Sequence, residues 1–227
     1  MSAVTPLPSM PRAVVFDMDG LMLDSERAIN ACLARASTLQ GEQIAPDYWL
    51  GMVGKGDVAC RSMLAERIGQ ARAEALLDRA QLLYAEVVER GIPHRPGIVA
   101  LLDWLAAHGI PRAVGTSTRR LLALRKLEAA GLLRRFDAIA TSSDVEHAKP
   151  APDIYLLAAR RLGVAPAQCL VLEDSPTGVQ AALAAGMTPI QIPDLVAPDA
   201  AVRALGHRIV ASLGEAQRLL EACTRVL

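Results

Sequence analysis

The chain has 227 residues, enough for one sizeable core plus an inserted domain, and 52% of them are hydrophobic, which excludes a disordered chain. Aromatic residues make up only 3%, so Ala, Leu and Val must fill the core, which suits helices over a parallel sheet rather than a β-sandwich. With 24 basic and 24 acidic residues there is no basic field for nucleic acid or anionic lipid, and no apolar run approaches the about 18 residues of a membrane span.

The opening segment, MSAVTPLPSMPR, lacks a basic stretch followed by an apolar one, and reads as a short disordered tail rather than a signal peptide. The first strong element is Arg12–Asp17, an apolar run ending in an acid, as in a buried parallel strand. Met18-Asp19-Gly20 is a turn. From about Leu23 to Ile92 the pattern is helical, with Ile29, Leu33, Ala36 and Leu39 on one stripe and no convincing strand. A Gly-rich break, Gly51–Gly56, interrupts it. It fails the phosphate-loop pattern GxxxxGK[ST], because position 49 is Trp and Gly56 follows Lys55. Tyr48 and Trp49 read as packing within this block.

After Pro93–Gly97 the rhythm changes. Helices Ile98–His108, Arg119–Ala130, Pro152–Leu162 and Gly178–Ala185 each lead through a glycine to strands Arg112–Thr116, Asp137–Thr141, Cys169–Glu173 and Thr188–Ile192. A last strand, His207–Val210, and a helix, Leu213–Ala222, follow. The alternation predicts an α/β fold, a doubly wound parallel sheet. A structureless loop as long as 22–92 is improbable in a compact domain, so that block reads as an inserted all-helical cap, with 1–21 and 93–227 as the core. The cap is expected to move as a lid about hinges near Leu21–Leu23 and Ile92–Gly97.

In such a sheet, ligands bind at the C-terminal strand ends. Those ends carry Asp17 and Asp19; Thr116, Ser117 and Thr118; Lys149 in the loop after the third strand; and Glu173-Asp174. Crowded carboxylates suit a hard cation such as Mg²⁺, which neutralises them and lets a carboxylate nucleophile approach a phosphate. A second acid can protonate the leaving oxygen and then deprotonate water, while Thr116 and Lys149 can hold phosphate oxygens. Each residue alone has a plainer reading: Asp17–Gly20 a turn, Thr116–Thr118 a helix cap, Glu173–Pro176 a helix start, and Lys149 a solvated charge. Their joint occurrence at successive strand ends favours the chemistry. Lys55, Lys126 and Lys149 are the only lysines against 21 arginines, a bias that marks positions wanting a compact point charge. Lys126 nevertheless reads as a helix-surface residue, and His147 as a surface one. Lys55 is open to two readings, a substrate contact from the cap or a solvated turn. Cys32, Cys60, Cys169 and Cys223 form no CxxC pair, which points to reduced, buried thiols in a cytoplasmic protein.

The stretch Asp17-Met-Asp-Gly-Leu-Met-Leu-Asp-Ser-Glu26, with Thr116, Lys149 in Lys-Pro-Ala-Pro-Asp153, and Glu173-Asp174-Ser-Pro-Thr-Gly178, resembles the four motifs of the haloacid dehalogenase superfamily. The resemblance runs from about Arg12 to the C-terminus, and the insert resembles the cap of the beta-phosphoglucomutase-like subgroup. It implies a Rossmann-like core in which Asp17 is the nucleophile and Asp19 the acid/base. Asp17, the Asp19 backbone carbonyl and Asp174 would ligate Mg²⁺, with Glu173 at the metal's outer shell. Thr116, Ser117, Lys149, Lys55 and Gly20 would meet the substrate. Aspartate at position 19 argues for phosphoryl transfer and against dehalogenation. The expected substrate is a small phosphate ester such as a sugar phosphate, and the expected chain a monomer or weak oligomer without nucleic-acid or membrane partners. The alternative is a phosphosugar mutase. It is disfavoured because Arg27–Asn30 holds no histidine where mutases carry one, and because Lys55 stands where their caps have arginine. A signalling receiver domain is excluded by length and by the insert.

Overall fold

The computed structural model describes residues 7, 9–53 and 57–224. Its sheet has six parallel strands in the order β3-β2-β1-β4-β5-β6, where β1 is Ala13–Phe16, β2 Arg112–Thr116, β3 Ala138–Thr141, β4 Cys169–Glu173, β5 Thr188–Gln191 and β6 Arg208–Ile209. The chain builds outward from β1 to β3, then returns across β1 to lay down β4. That reversal opens a crevice at the C-terminal end of β1, where a doubly wound sheet holds its ligand.

Alternation along the strands divides the core between two faces. Val14, Phe16, Val114, Leu170, Leu172 and Ile190 face one side, under α5 (Ile98–Ala107), α6 (Arg120–Ala129) and α10 (Leu213–Thr224). Ala13, Val15, Ala113, Ala140, Cys169 and Val171 face the other, under α7 (Asp153–Leu162) and α8 (Pro176–Ala184). The second face is lined largely by alanine, so its two helices lie close to the sheet. A short helix, α9 (Ala200–Arg203), capped by the Asp199 carboxylate on the Val202 N–H, precedes β6. The N-terminal segment departs from the expected tail: Leu7 is buried in the core and Met10 packs against it.

Among the described residues the insert holds four helices: α1 (Ser25–Leu39), α2 (Pro46–Leu50), α3 (Asp57–Ile68) and α4 (Gln70–Arg90). They bury a core of their own around Leu33, Ala36, Trp49, Leu64 and Leu76, whereas Leu39 is exposed. The two connections to the sheet domain pair with each other. Asp24 N–H donates to Pro93 O at 2.9 Å and Arg95 N–H to Met22 O at 2.8 Å. Asp194, in the loop after β5, clasps them through Arg27 at 2.6 Å and Arg95 at 2.7 Å. Among the described residues no helix is long and apolar enough to cross a membrane.

Candidate active site

Asp17 follows β1 directly. Its N–H donates to Leu172 O at 3.0 Å, so the ladder with β4 continues one residue past the strand and fixes the backbone beneath the carboxylate. The side chain lies at the floor of the crevice, 10% exposed, and accepts from Lys149 Nζ at 2.6 Å. Lys149 also donates to Glu173 Oε1 at 2.7 Å and lies 4.7 Å from the Tyr155 ring centroid.

Glu173 shares the strand parity of Cys169 and Val171, which turns it inward toward α7. There Oε1 also accepts from Tyr155 Oη at 2.8 Å, and Oε2 accepts from Ser175 N–H at 2.8 Å and Ser175 Oγ at 2.9 Å. Both oxygens thus carry two donors each, and the buried glutamate acts on the site through Lys149. Burial pushes the Glu173 carboxyl up, but Lys149 and the other donors outweigh it and hold it below its ordinary value. The lysine, despite burial, is held charged by Asp17 and Glu173.

The neighbouring carboxylates are under the opposite stress. Burial first, with help from Glu173 and Asp19 and against Lys149, raises Asp17 from 3.8 to about 7. Burial, Glu173 and Asp17 push Asp174 well above the ordinary carboxylate range. One oxygen each from Asp17, Glu173 and Asp174 lie within 4.8 Å of one another. Such a cluster is a hard-oxygen cradle that a divalent cation would relieve. Because Glu173 already has its donors, Asp17 and Asp174 hold the oxygens left for an ion.

Two glycines make this crowding sterically possible. Gly20 has φ 81°, and a Cβ there would stand 2.2 Å from Asp174 Oδ2. Its N–H is spent within the turn, on Leu23 O at 3.0 Å and Ser25 Oγ at 3.2 Å. At Gly178 a Cβ would stand 1.6 Å from Glu173 Oε1. Gly178→Ala is therefore expected to displace Glu173 or the start of α8, lowering stability by about 2 kcal/mol and loosening Lys149. Urea denaturation alongside turnover checks this; wild-type stability with a wild-type rate would show that the helix start yields without cost.

The opposite wall is built around Asp19. Thr116, buried at the end of β2, accepts from Thr118 N–H at 3.1 Å, which turns the chain so that Thr118 Oγ1 donates to Asp19 Oδ2 at 2.6 Å. Ser117, between them, is exposed at the rim. Asp19 Oδ1 accepts from Lys126 Nζ at 2.8 Å. Burial raises the Asp19 carboxyl, but Lys126, Thr118 and Ser25 together bring it below its ordinary value. Glu26, half-buried on the first turn of α1, is raised by burial, Asp19 and Asp194.

The expectation that Lys126 lies on a helix surface is wrong: it is 3% exposed, on the inner face of α6. Thr118, placed at this strand end by the sequence but given no role, holds Asp19, and Tyr155, which the sequence did not mark, holds Glu173. Helical spacing carried the missing signal for Lys126, since it shares a stripe with the buried Ala123 and Leu127. Lys55 falls outside the described residues. His147 is a surface residue, bonded to Asp153 at 3.1 Å, as read from the sequence. None of the four cysteines is in a disulfide, but only Cys32 and Cys169 are buried; Cys60 and Cys223 are half-exposed.

A carboxylate at a strand end, pinned by a buried lysine and faced by a second acid and an acidic pair, is an arrangement suited to phosphoryl transfer through a carboxylate. Residues 11–186 match the model of the haloacid dehalogenase-like hydrolases, and the chain belongs to that family. It is 35% identical over 182 residues to hexitol phosphatase A of Escherichia coli K12, covering 80% of this chain and 82% of that one. It is 34% identical over 191 residues to the fructose-1-phosphate phosphatase of the same organism, covering 79% and 95%. A solved structure from Thermotoga maritima, provisionally assigned as a beta-phosphoglucomutase, superposes with a TM-score of 0.80 at 27% identity, covering 95% of this chain and 99% of that one.

Proposed function

We propose that the chain is a Mg²⁺-dependent phosphatase of a small phosphorylated sugar or polyol, acting through phosphorylated Asp17. The observation that carries this reading is the Lys149–Asp17 contact of 2.6 Å beside Asp174, with Asp19 held across the crevice. Resemblance to phosphatases named for hexitol and fructose 1-phosphate supports the substrate class.

In the first step an Asp17 oxygen bonds to phosphorus while the ester P–O bond breaks, and Asp19 delivers a proton to the departing alkoxide oxygen. In the second, Asp19 takes a proton from water as the water oxygen bonds to phosphorus and the Asp17–phosphorus bond breaks. Lys149, Thr116 and Ser117 hold phosphate oxygens, and Glu173 with Tyr155 keeps the Lys149 ammonium aimed. Asp17, Asp174 and the Asp19 backbone carbonyl would hold Mg²⁺, which would offset the negative charge of nucleophile and phosphate. Residues 22–92 act as the cap over the core formed by 1–21 and 93–227, and Lys55 would reach the substrate from it. The absence of disulfides among the four cysteines supports a reducing, cytoplasmic setting.

A panel of sugar and polyol phosphates, assayed for free phosphate with and without excess chelator, tests this reading. Mg²⁺-dependent release from some members is expected; full turnover in chelator would remove the metal from the account.

The raised Asp17 adds a test independent of activity. In the unfolded chain Asp17 ionises near 3.8 and in the fold at about 7, so folding loses stability as pH rises between those values. Binding a cation requires the ionised form, so Mg²⁺ should raise the melting temperature more at about pH 8 than at about pH 5.5. An equal gain at both would place the ion elsewhere.

The likeness to a beta-phosphoglucomutase-type structure keeps mutase chemistry as the second reading. Against it, residues 27–30, Arg27-Ala-Ile-Asn30, offer no histidine.

A further inference from the structure

Each oxygen of Asp19 accepts one side-chain donor, Lys126 on Oδ1 and Thr118 on Oδ2, and the donor that yields more easily decides which oxygen turns to a leaving group. The two bonds are not equivalent. Thr118 sits half-buried on the loop after β2, one residue from the exposed Ser117. Lys126 lies on a regular helix, its side chain 4% exposed, with the ammonium 5.1 Å from the ring centroid of Tyr84. Tyr84 belongs to cap helix α4, so the cap covers this lysine.

We propose that Lys126 is a positioning residue for the acid/base step: it anchors Asp19 Oδ1, leaving Oδ2 as the oxygen that exchanges Thr118 for the leaving group and then for water. The idea rests on the proposed function, because it presumes that Asp19 moves the proton. The proton carried on Oδ2 passes to the ester oxygen as its bond to phosphorus breaks, and one from the attacking water returns to Oδ2. A compact ammonium on a short, buried path fixes one oxygen without forking across both, which a guanidinium would do. Tyr84 keeps water from competing for the ammonium, so the anchor holds best with the cap seated.

Positioning of this kind matters in proportion to the basicity of the leaving group. An alkoxide needs the proton; a p-nitrophenolate does not. The test is kcat/KM, which reports transfer to Asp17, for fructose 1-phosphate and for p-nitrophenyl phosphate on the same variant. Lys126→Met should lower the alkyl-to-aryl ratio by on the order of 10²-fold, the loss expected of a displaced catalytic group. Lys126→Arg, which keeps the charge should the methionine variant fail to fold, should lower the ratio by about tenfold. Tyr84→Leu, which keeps the lysine and strips its cover, should shift it the same way by less. A parallel fall for both esters in the folded lysine variants, or no fall at all, would overturn the proposal; an unchanged ratio in Tyr84→Leu would overturn the cap's share. Asp19→Asn separates the two ideas. If it lowers the ratio and the lysine variants do not, the positioning role alone fails. If Asp19→Asn leaves the ratio untouched, the acid/base assignment beneath it fails.

Discussion

Asp17→Asn is expected to lower turnover by at least about 10⁴-fold while leaving a folded protein, the scale of loss seen when a covalent nucleophile is removed. The amide has the carboxylate's shape and can still sit beneath β4, but it cannot form the phosphorylated intermediate. The electrostatics of the site add a second expectation. Asp17 is raised to about 7 because burial and Glu173 oppose its charge more than Lys149 favours it. Removing that charge relieves Asp174 as well, and Lys149 keeps Glu173 at 2.7 Å. The metal-free variant should therefore melt no lower than the parent at neutral pH. Rapid-mixing assays give the rate and calorimetry the melting temperature. A dead variant that also melts far lower would mean that the substitution harms the fold, and the kinetic loss would no longer speak to the nucleophile.

Lys149→Met should cost on the order of 10²–10³ in kcat/KM, the effect of losing one donor aimed at developing charge. It should also destabilise the protein, which Asp17→Asn should not. The lysine is 5% exposed and joins two buried acids, and breaking such a pair from one side costs about 3–5 kcal/mol because the partners are left uncompensated. Lys149→Arg should rescue stability only in part, since Tyr155 and Glu173 enclose a point charge with no room for a fork. Urea unfolding and steady-state kinetics on the same preparations check both halves. A stable, inactive Lys149→Met would confine the residue to phosphate binding; an active one would remove it from the site.

The alternating helices and strands were legible because each strand is a short apolar run and most core helices end near a glycine that marks the turn. The β2, β3 and β4 ends therefore fell where the sequence reading put them, while β1 stops one residue short, at Phe16, and leaves Asp17 just beyond the strand. α9 was not legible, since four residues leave too short a period to register. The adjacent acids Glu173 and Asp174 read as one pair, yet strand parity splits them: one is buried among four donors, the other turns toward Gly20. Lys126 was missed because a charge on an Arg-rich helix looks solvated. Only the pairing of Asp19 with α6 under the cap, a contact across 107 positions, shows why the lysine is there.

The central claim is that the phosphoryl group passes through Asp17 to water. Rapid-quench mass spectrometry of the Asp17 peptide, run with a sugar phosphate and a trace of its bisphosphate while free phosphate and isomerised sugar phosphate are followed, tests it most directly. The account predicts a phosphorylated Asp17 that forms within the first turnover and decays at the rate free phosphate appears. Free phosphate without that species, or its decay into isomerised sugar phosphate with little phosphate released, would contradict it.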